Sequence, residues 1–318
     1  MNDELIEVVI TSRVDHGKDI AELILTPTNG LSLPDFKAGA HIDLHIDTNI
    51  IRQYSLCGMP GFNANYRVGV LNDPNSRGGS KKIFEQFLVG NVFNISKPRN
   101  HFELSADARY TILVAGGIGI TPMLAMAYEL TATNQPFELH YCSRSRNVAA
   151  FQEELKRQFP QQIHFHYDNE EKQQYFSPEE RFVQASEETH IYVCGPTGFM
   201  DWVIGAAKAT NLSSDKIHFE YFSAEVETSG KAFEVYCKQS DITVQVAEQQ
   251  TIAKALLSDG VRVDVSCEEG VCGTCITDVL EGVPDHRDHF LTDEEKEDND
   301  QIALCCSRSK SARLVLDL

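Results

Sequence analysis

Nine cysteines occur in this chain of 318 residues, and four of them stand at a spacing suited to chemistry. Cys267, Cys272 and Cys275 follow the pattern C-x4-C-x2-C, and Cys305 comes after a gap of 29 residues. That spacing wraps one tight loop around a [2Fe-2S] cluster and takes the fourth thiolate from a distant segment. Thiolate sulfur is the soft ligand that such clusters select. Gly270, Gly273 and Thr274 let the backbone close around the cluster and aim amides at its sulfurs. A zinc site and a set of scattered core thiols are the competing readings. Zinc sites tend to pair two Cys-x2-Cys units, and only one such pair is present. Cys306 adjoins Cys305, but the spacing fits Cys305. An expected strand through Ile302-Ala303-Leu304 would turn the two neighbouring side chains to opposite faces. Cys57, Cys142 and Cys237 are most simply structural thiols.

Upstream lies Arg52-Gln53-Tyr54-Ser55. Strand alternation puts Arg52 and Tyr54 on one face. An Arg can hold a phosphate by a forked contact, and a Tyr can pack on a flavin ring. Arg77-Gly78-Gly79-Ser80 follows and opens an expected helix over 81–88; glycines and a Ser at a helix start make a phosphate cradle. Each piece alone is weak, since such a tetrad is more often an ordinary strand and Gly-Gly more often a turn.

A second site follows. The run 110–115 reads as a buried strand, Gly116-Gly117-Ile118-Gly119-Ile120-Thr121-Pro122 as a glycine turn, and 123–130 as a helix. Strand, glycine turn and helix form a pyrophosphate-binding layout, with Pro122 suited to the first helical turn. It differs from G-x-G-x-x-G, so a Rossmann dehydrogenase is not the best match. Cys194-Gly195-Pro196 ends a later strand, at the sheet edge where ligands gather. By its surroundings alone Cys194 reads as a small buried residue. Asp168 follows the strand 163–167, where a carboxylate can accept hydrogen bonds from ribose hydroxyls and repel a 2'-phosphate; a solvated loop residue is the equal alternative. Arg144 and Arg146 pull the other way, because they could hold a phosphate.

The elements that must position these residues fall into three blocks. Short alternating runs between 5 and 97, broken by turn clusters such as Thr28-Asn29-Gly30, predict an antiparallel barrel or sandwich. Strands at 137–142, 163–167 and 190–193 alternate with helices, including one over 148–159, and predict a parallel α/β sheet. A last strand is expected over 217–222, then a polar linker within 223–231. A hairpin (233–237, 242–246) and a helix near 251–257 precede the cysteine loop. The expected domains are therefore 1–106 for flavin, 107–226 for nicotinamide, a linker at 227–232, and a ferredoxin-like domain at 233–318. His286 and His289, in Asp285-His286-Arg287-Asp288-His289, read as a polar surface loop, and the acidic run from Asp293 to Asp298 as a solvated helix start.

Composition narrows the function. A net charge of -19 repels DNA and anionic membrane surfaces, so neither nucleic acid nor membrane is an expected partner. It suits either a basic protein partner or plain solubility. No uninterrupted apolar run reaches spanning length. The acidic start Met1-Asn2-Asp3-Glu4 lacks the basic region of a signal peptide, and a cytoplasmic location is expected.

Flavin motif, nicotinamide motif and C-terminal cysteine motif, in that order, resemble the phthalate dioxygenase reductase type, a ferredoxin-NADP reductase fused to a ferredoxin. The resemblance covers nearly the whole chain. It implies an FMN-binding antiparallel β-barrel, a parallel α/β nicotinamide domain and a plant-type ferredoxin-like domain. It implies FMN, NADH and a [2Fe-2S] cluster as cofactors, and a Rieske-type oxygenase as partner. Arg52, Tyr54, Ser55, Gly79 and Ser80 would hold the flavin; Gly117, Thr121 and Cys194 would line the nicotinamide path; Phe222 would lie near the flavin. His140-Tyr141-Cys142-Ser143-Arg144 and Cys305-Cys306-Ser307-Arg308 look most like the carnitine monooxygenase reductases within this family. A stand-alone NADH-dependent flavin or quinone reductase, or a non-catalytic iron-sulfur sensor, would use only part of this equipment.

Overall fold

The computed structural model describes residues 5–48, 50–74, 76–169, 175–223 and 226–318. The N-terminal tetrapeptide, Asn75 of the turn expected over Asn72-Asp73-Pro74-Asn75, and two residues of the expected linker lie outside these. The chain divides into two compact units, Met1–Phe222 and Ser223–Leu318.

The first unit begins with strands β1 (Ile6–His16), β2 (Ile20–Pro27), β3 (Ala40–Asp47), β4 (Ile50–Ser55) and β5 (Tyr66–Leu71), then helix α1 (Gly79–Gln86), β6 (Val92–Ile95) and β7 (Arg99–Asn100). They form an antiparallel sheet in the order β4-β3-β6-β1-β2-β5, with β7 on β3. A bridge between Leu56 and Val68, and Cys57 N donating to Arg67 O at 2.9 Å, join the two ends and close a barrel. Period-two alternation explains its filling: Leu23 and Leu25, Ile42 and Leu44, and Tyr66, Val68 and Val70 all point inward with Ile83 of α1. Their neighbours Glu22 and Arg67 are only half-buried.

The same unit continues with β8 (Tyr110–Gly116), α2 (Ile120–Ala132), β9 (Phe137–Ser143), α3 (Gln152–Gln158), β10 (Ile163–Tyr167), α4 (Pro178–Phe182), β11 (Thr189–Cys194), α5 (Thr197–Lys208) and β12 (Ile217–Glu220). The five strands are parallel, ordered β10-β9-β8-β11-β12. From β8 the chain winds outward to one side and then returns to the other, so the switch point lies between β8 and β11. Helix α2 is buried from Ile120 through Ala127, because every residue of that stretch except Thr121 is apolar. It shares one core with Ile20, Ala38 and Cys57 of the barrel. A polar network adds to that core. Arg67 Nε donates to Glu22 Oε1 (2.8 Å), and its two terminal nitrogens donate to Glu154 (2.7 and 2.6 Å).

Two expected elements are shorter than their sequence pattern suggests. The helix expected over 148–159 begins only at Gln152, since Phe151 takes a left-handed backbone at φ 59° and places its ring 4.9 Å below the Arg67 guanidinium. The strand expected over 217–222 stops at Glu220.

The second unit carries β13 (Phe233–Cys237), β14 (Ile242–Val246), α6 (Ile252–Ser258), β15 (Ile276–Glu281), β16 (Pro284–Asp285), α7 (Asp293–Asp298), β17 (Gln301–Ala303), β18 (Arg308–Ser309) and β19 (Arg313–Leu316). A mixed sheet runs β14-β13-β19-β15-β17, with β16 and β18 paired apart. Thr251 caps α6, and a Thr292–Glu295 capping box starts α7. No helix among the described residues is long and apolar enough to cross a membrane.

Candidate functional site

Arg52 and Tyr54 lie on β4 opposite Leu44 and Ile42 of β3. The Arg52 side chain runs directly over Gly79: a Cβ there would stand 2.9 Å from Arg52 Cγ and 3.1 Å from Nε. Gly78 precedes α1 with φ 92°, which only glycine adopts without strain. α1 opens with no side-chain cap, so its first amides are left for another acceptor. Ser80 Oγ is buried without a partner among the described residues. An unmet buried hydroxyl costs about 1–3 kcal/mol. A guanidinium, free amides and an unmet hydroxyl over a glycine floor fit a phosphate monoester. Burial pushes the Tyr54 phenol up, so the ring stays neutral.

At the sheet's switch point the two glycine turns meet backbone to backbone. A Cβ at Gly119 would lie 2.1 Å from Cys194 O and 2.7 Å from Gly195 N. A Cβ at Gly116 or Gly195 would lie 2.7 Å from Phe199. Gly117 has φ +54°, and Thr121 Oγ1 donates to Ile118 O at 3.0 Å, which holds the turn into α2 beside the buried Pro122. Pro196 precedes α5 and is exposed. The edge is thus bare main chain, the surface a diphosphate needs.

Asp168 is exposed in the turn after β10, its amide donating to Ser143 O (3.1 Å) and its carbonyl accepting from Tyr175 Oη (3.0 Å). Arg146 stacks over the Tyr167 ring at 4.7 Å, while Arg144 is exposed. Phe222 is half-buried against the core that contains Cys194.

Glu220 was not singled out in the sequence. It ends β12 directly beside Cys194 in the parallel register, and Ser55 Oγ donates to its Oε2 at 3.4 Å. Burial pushes the Glu220 carboxyl up to about 8, against the pull of the Ser55 hydrogen bond. Burial, then the Glu220 charge, pushes the Cys194 thiol up as well. One signal was available: Glu220 is a lone carboxylate at the C-terminal end of a parallel strand.

In the second unit Cys267, Cys272, Cys275 and Cys305 are all buried. Cys267 and Cys272 share a hydrogen bond, as do Cys275 and Cys305, and Cys267 also reaches Cys305. Hydrogen bonds from Cys272 and Cys305 hold the Cys267 thiol far below its ordinary range, and those bonds push Cys272 and Cys305 up. Glu269 N donates to Cys267 Sγ (3.3 Å), and Cys272 Sγ lies 3.3 Å from Thr274 Oγ1. Ser266 Oγ, beside Cys267, is buried without a partner among the described residues. No disulfide forms among the described cysteines. No trio of His, Cys, Asp or Glu among the described residues is arranged around one metal ion. Four neighbouring buried thiols fit a two-iron cluster, which takes two thiolates per iron.

The alternation argument for Cys306 does not hold. The strand ends at Ala303, and 304–306 form a turn in which Ser307 N donates to Ala303 O at 3.0 Å. Cys306 Sγ donates to Ala303 O at 3.9 Å, and it lies 2.5 Å from where a Gly270 Cβ would sit. Nor is 285–289 simply a surface loop: His289 is exposed, but the Asp288 side chain is fully enclosed.

Known proteins match along the whole chain. Residues 235–310 match the family model described as a 2Fe-2S iron-sulfur cluster binding domain. Residues 95–217 match the N-terminal domain described as dimethylamine monooxygenase subunit DmmA-like. A vanillate O-demethylase oxidoreductase from Pseudomonas sp. is 48% identical over 99% of this chain and 100% of its own. The chain belongs to the phthalate dioxygenase reductase-like family. The carnitine monooxygenase reductase subunit of Escherichia coli is 36% identical over 99% of each chain. The solved phthalate dioxygenase reductase, described as a modular structure for electron transfer from pyridine nucleotides to [2Fe-2S], superposes with a TM-score of 0.76 at 36% identity, over 99% of this chain and 98% of its own. Members of this family are oxidoreductases that serve as reductase components of oxygenase systems, and this chain has their fold: barrel, parallel sheet and C-terminal iron-sulfur domain.

Proposed function

We propose that this chain is the NADH-dependent reductase of a Rieske-type oxygenase, with FMN in the first unit and a [2Fe-2S] cluster in the second. The observation that carries this reading is the meeting of Ser55, at the end of barrel strand β4, with Glu220, which lies beside Cys194 at the C-terminal edge of the parallel sheet. FMN, when bound, accepts two electrons together and releases them singly, the conversion that joins a nicotinamide to a one-electron cluster.

The chain's own residues do the positioning. Arg52 and Ser80 hold the phosphate, and Tyr54 packs against the flavin ring. The turn from Gly116 to Gly119 and the segment Gly195-Pro196 leave room for a diphosphate, and Asp168 accepts from ribose hydroxyls while repelling a 2'-phosphate. Cys194 and Glu220 keep their protons near neutral pH, since burial raises both. The surface facing the reacting rings is therefore polar, uncharged and able to donate hydrogen bonds. Cys267, Cys272, Cys275 and Cys305 hold the irons.

For the oxygenase partner, identity favours a vanillate-demethylase type, at 48% against 36% for the carnitine relative. A carnitine type is the second reading, resting on the short segments around Tyr141 and Cys305.

An anaerobic NADH titration of the purified chain tests the function. Flavin and cluster absorbance should bleach together, and electrons should then pass to an added Rieske oxygenase. Turnover of free flavin or quinone with the cluster still oxidised would replace this reading with a stand-alone reductase.

A further inference from the structure

The five residues Glu227 to Lys231 bring the chain into the second unit, and each of their carbonyls is held by one of two arginines. Arg287 Nη1 donates to Glu227 O (2.5 Å) and Ser229 O (2.8 Å), while its Nε and Nη2 donate to Asp285 Oδ2 (2.9 and 2.7 Å). Arg308 takes the alternate positions: Nη1 donates to Thr228 O (2.9 Å), and Nη2 to Gly230 O (3.5 Å) and Lys231 O (3.0 Å). It also donates to Gln250 O (2.5 Å) and Ala247 O (3.0 Å) after β14. Arg308 is only 2% exposed, and all five of these acceptors are main-chain carbonyls. Gly230 has φ +151°, and a Cβ there would stand 2.9 Å from Arg308 Nε. The planar, rigid fork of arginine is what lets one side chain serve several fixed carbonyls.

Both arginines are also built into the cysteine framework. Arg308 is three residues past Cys305 and pairs with Asp285 across β16 and β18. Arg287 N donates to Ser307 Oγ (3.1 Å), and that hydroxyl donates to Asp288 Oδ1 (3.4 Å). The Asp288 carboxylate accepts from Phe290 N (3.2 Å) and Leu291 N (2.8 Å), and His289 N donates to Gly270 O (2.9 Å) in the cysteine loop. One continuous hydrogen-bonded path thus runs from the strap to the turn of Cys305 and on to the loop of Cys267–Cys275.

We propose that Arg287 and Arg308 are positioning residues that lock the strap Glu227–Lys231 to the turn bearing Cys305, so that displacing the strap alters the geometry at the fourth thiolate. The proposal rests on the cluster reading above. A guanidinium withdrawn from water and given only carbonyls holds its strap in one conformation, because any shift leaves a buried charge with fewer acceptors. Strap and cluster pocket then behave as one packed element rather than as a linker beside a domain.

The test uses the full chain with Arg308→Gln, Arg287→Gln and Gly230→Ala. Gly230→Ala acts from the strap side and touches no cysteine. Two readouts are needed: the rate of tryptic cleavage after Lys231, followed by mass spectrometry, and the low-temperature EPR g-values of the dithionite-reduced protein at measured iron content. Cleavage should accelerate by about tenfold or more as the strap opens locally. The g-values should shift in Gly230→Ala as well as in the arginine variants, with iron retained. An opened strap with unaltered g-values would overturn the coupling, and a strap that stays closed would overturn the clasp. If Arg308→Gln does not fold, the other two variants decide. A wild-type chain with no [2Fe-2S] signal would instead refute the cluster reading itself.

Discussion

Ser55 and Glu220 are 165 residues apart in sequence, yet the Ser55 hydroxyl donates to Glu220 Oε2 at 3.4 Å. The contact ties barrel strand β4 to the last strand of the parallel sheet and sets a protonated carboxyl beside Cys194. Burial raises the Glu220 carboxyl from 4.5 to about 8. The unfolded chain releases this proton near pH 4.5, and the folded chain keeps it to about pH 8. The contribution to stability is therefore full below pH 4.5 and is lost as pH rises through 8.

Glu220→Gln should remove this dependence. Thermal midpoints of the variant should fall less than those of the wild type between pH 5 and 8.5. The rate of flavin reduction by NADH should show an inflection near pH 8 in the wild type and none in the variant. Parallel pH profiles in the two proteins would mean the carboxyl does not titrate there.

Arg52→Ala should weaken FMN binding by about 1.5–3 kcal/mol, the size of a hydrogen bond to a charged group, or roughly ten- to a hundredfold in Kd. Ser80→Ala should cost about 1 kcal/mol. Fluorescence titration of the apoprotein measures both, and the cluster spectrum should stay unchanged. Full FMN occupancy after dialysis of Arg52→Ala would reduce Arg52 to an ordinary strand residue. Recovery of FAD from the wild type would replace the FMN assignment.

Cys305→Ser should abolish or distort the cluster signal, because Cys305 contacts both Cys267 and Cys275. Cys306→Ser should keep it, since that sulfur packs toward Gly270. Visible absorption and EPR after dithionite distinguish the two. A normal signal in Cys305→Ser with loss in Cys306→Ser would reverse the ligand assignment.

Asp168→Ala should narrow the preference for NADH over NADPH by about 1–3 kcal/mol, the scale of one lost hydrogen bond or one relieved repulsion. The ratio of kcat/KM for the two coenzymes measures it. A wild type that prefers NADPH would shift attention to Arg144, because Arg146 is already stacked on Tyr167.

What could be read from the sequence was whatever a local pattern encodes. The cysteine spacing is linear, the alternation of Arg52 and Tyr54 is linear, and so is the glycine turn after β8. Three of the parallel strands, β8, β9 and β11, are largely buried and therefore stand out as apolar-rich runs. Glu220 was legible only as a lone carboxylate near a strand end; its role arises from strand register beside Cys194 and from a partner far away in sequence. The late start of α3 was illegible because Phe151, a bulky residue, gives no hint of a left-handed backbone. Asp285 to His289 misled for the opposite reason: charged side chains read as solvated, whereas Asp288 is enclosed by its own hydrogen-bond acceptor role.

Helix α2 has a consequence for how the first unit comes apart. With Ile120 to Ala127 buried on every side, the helix is the shared wall of barrel and sheet. Stripping either half away would bare an apolar rod that has no polar face to turn toward water. Calorimetry should then give one cooperative endotherm for residues 1–222, not two, with ratio of van't Hoff to calorimetric enthalpy near unity. A flavin-binding fragment cut before β8 would keep the barrel interior but bare Ile20, Ala38 and Cys57, the apolar patch that shares a core with α2, and should aggregate more readily than the whole unit.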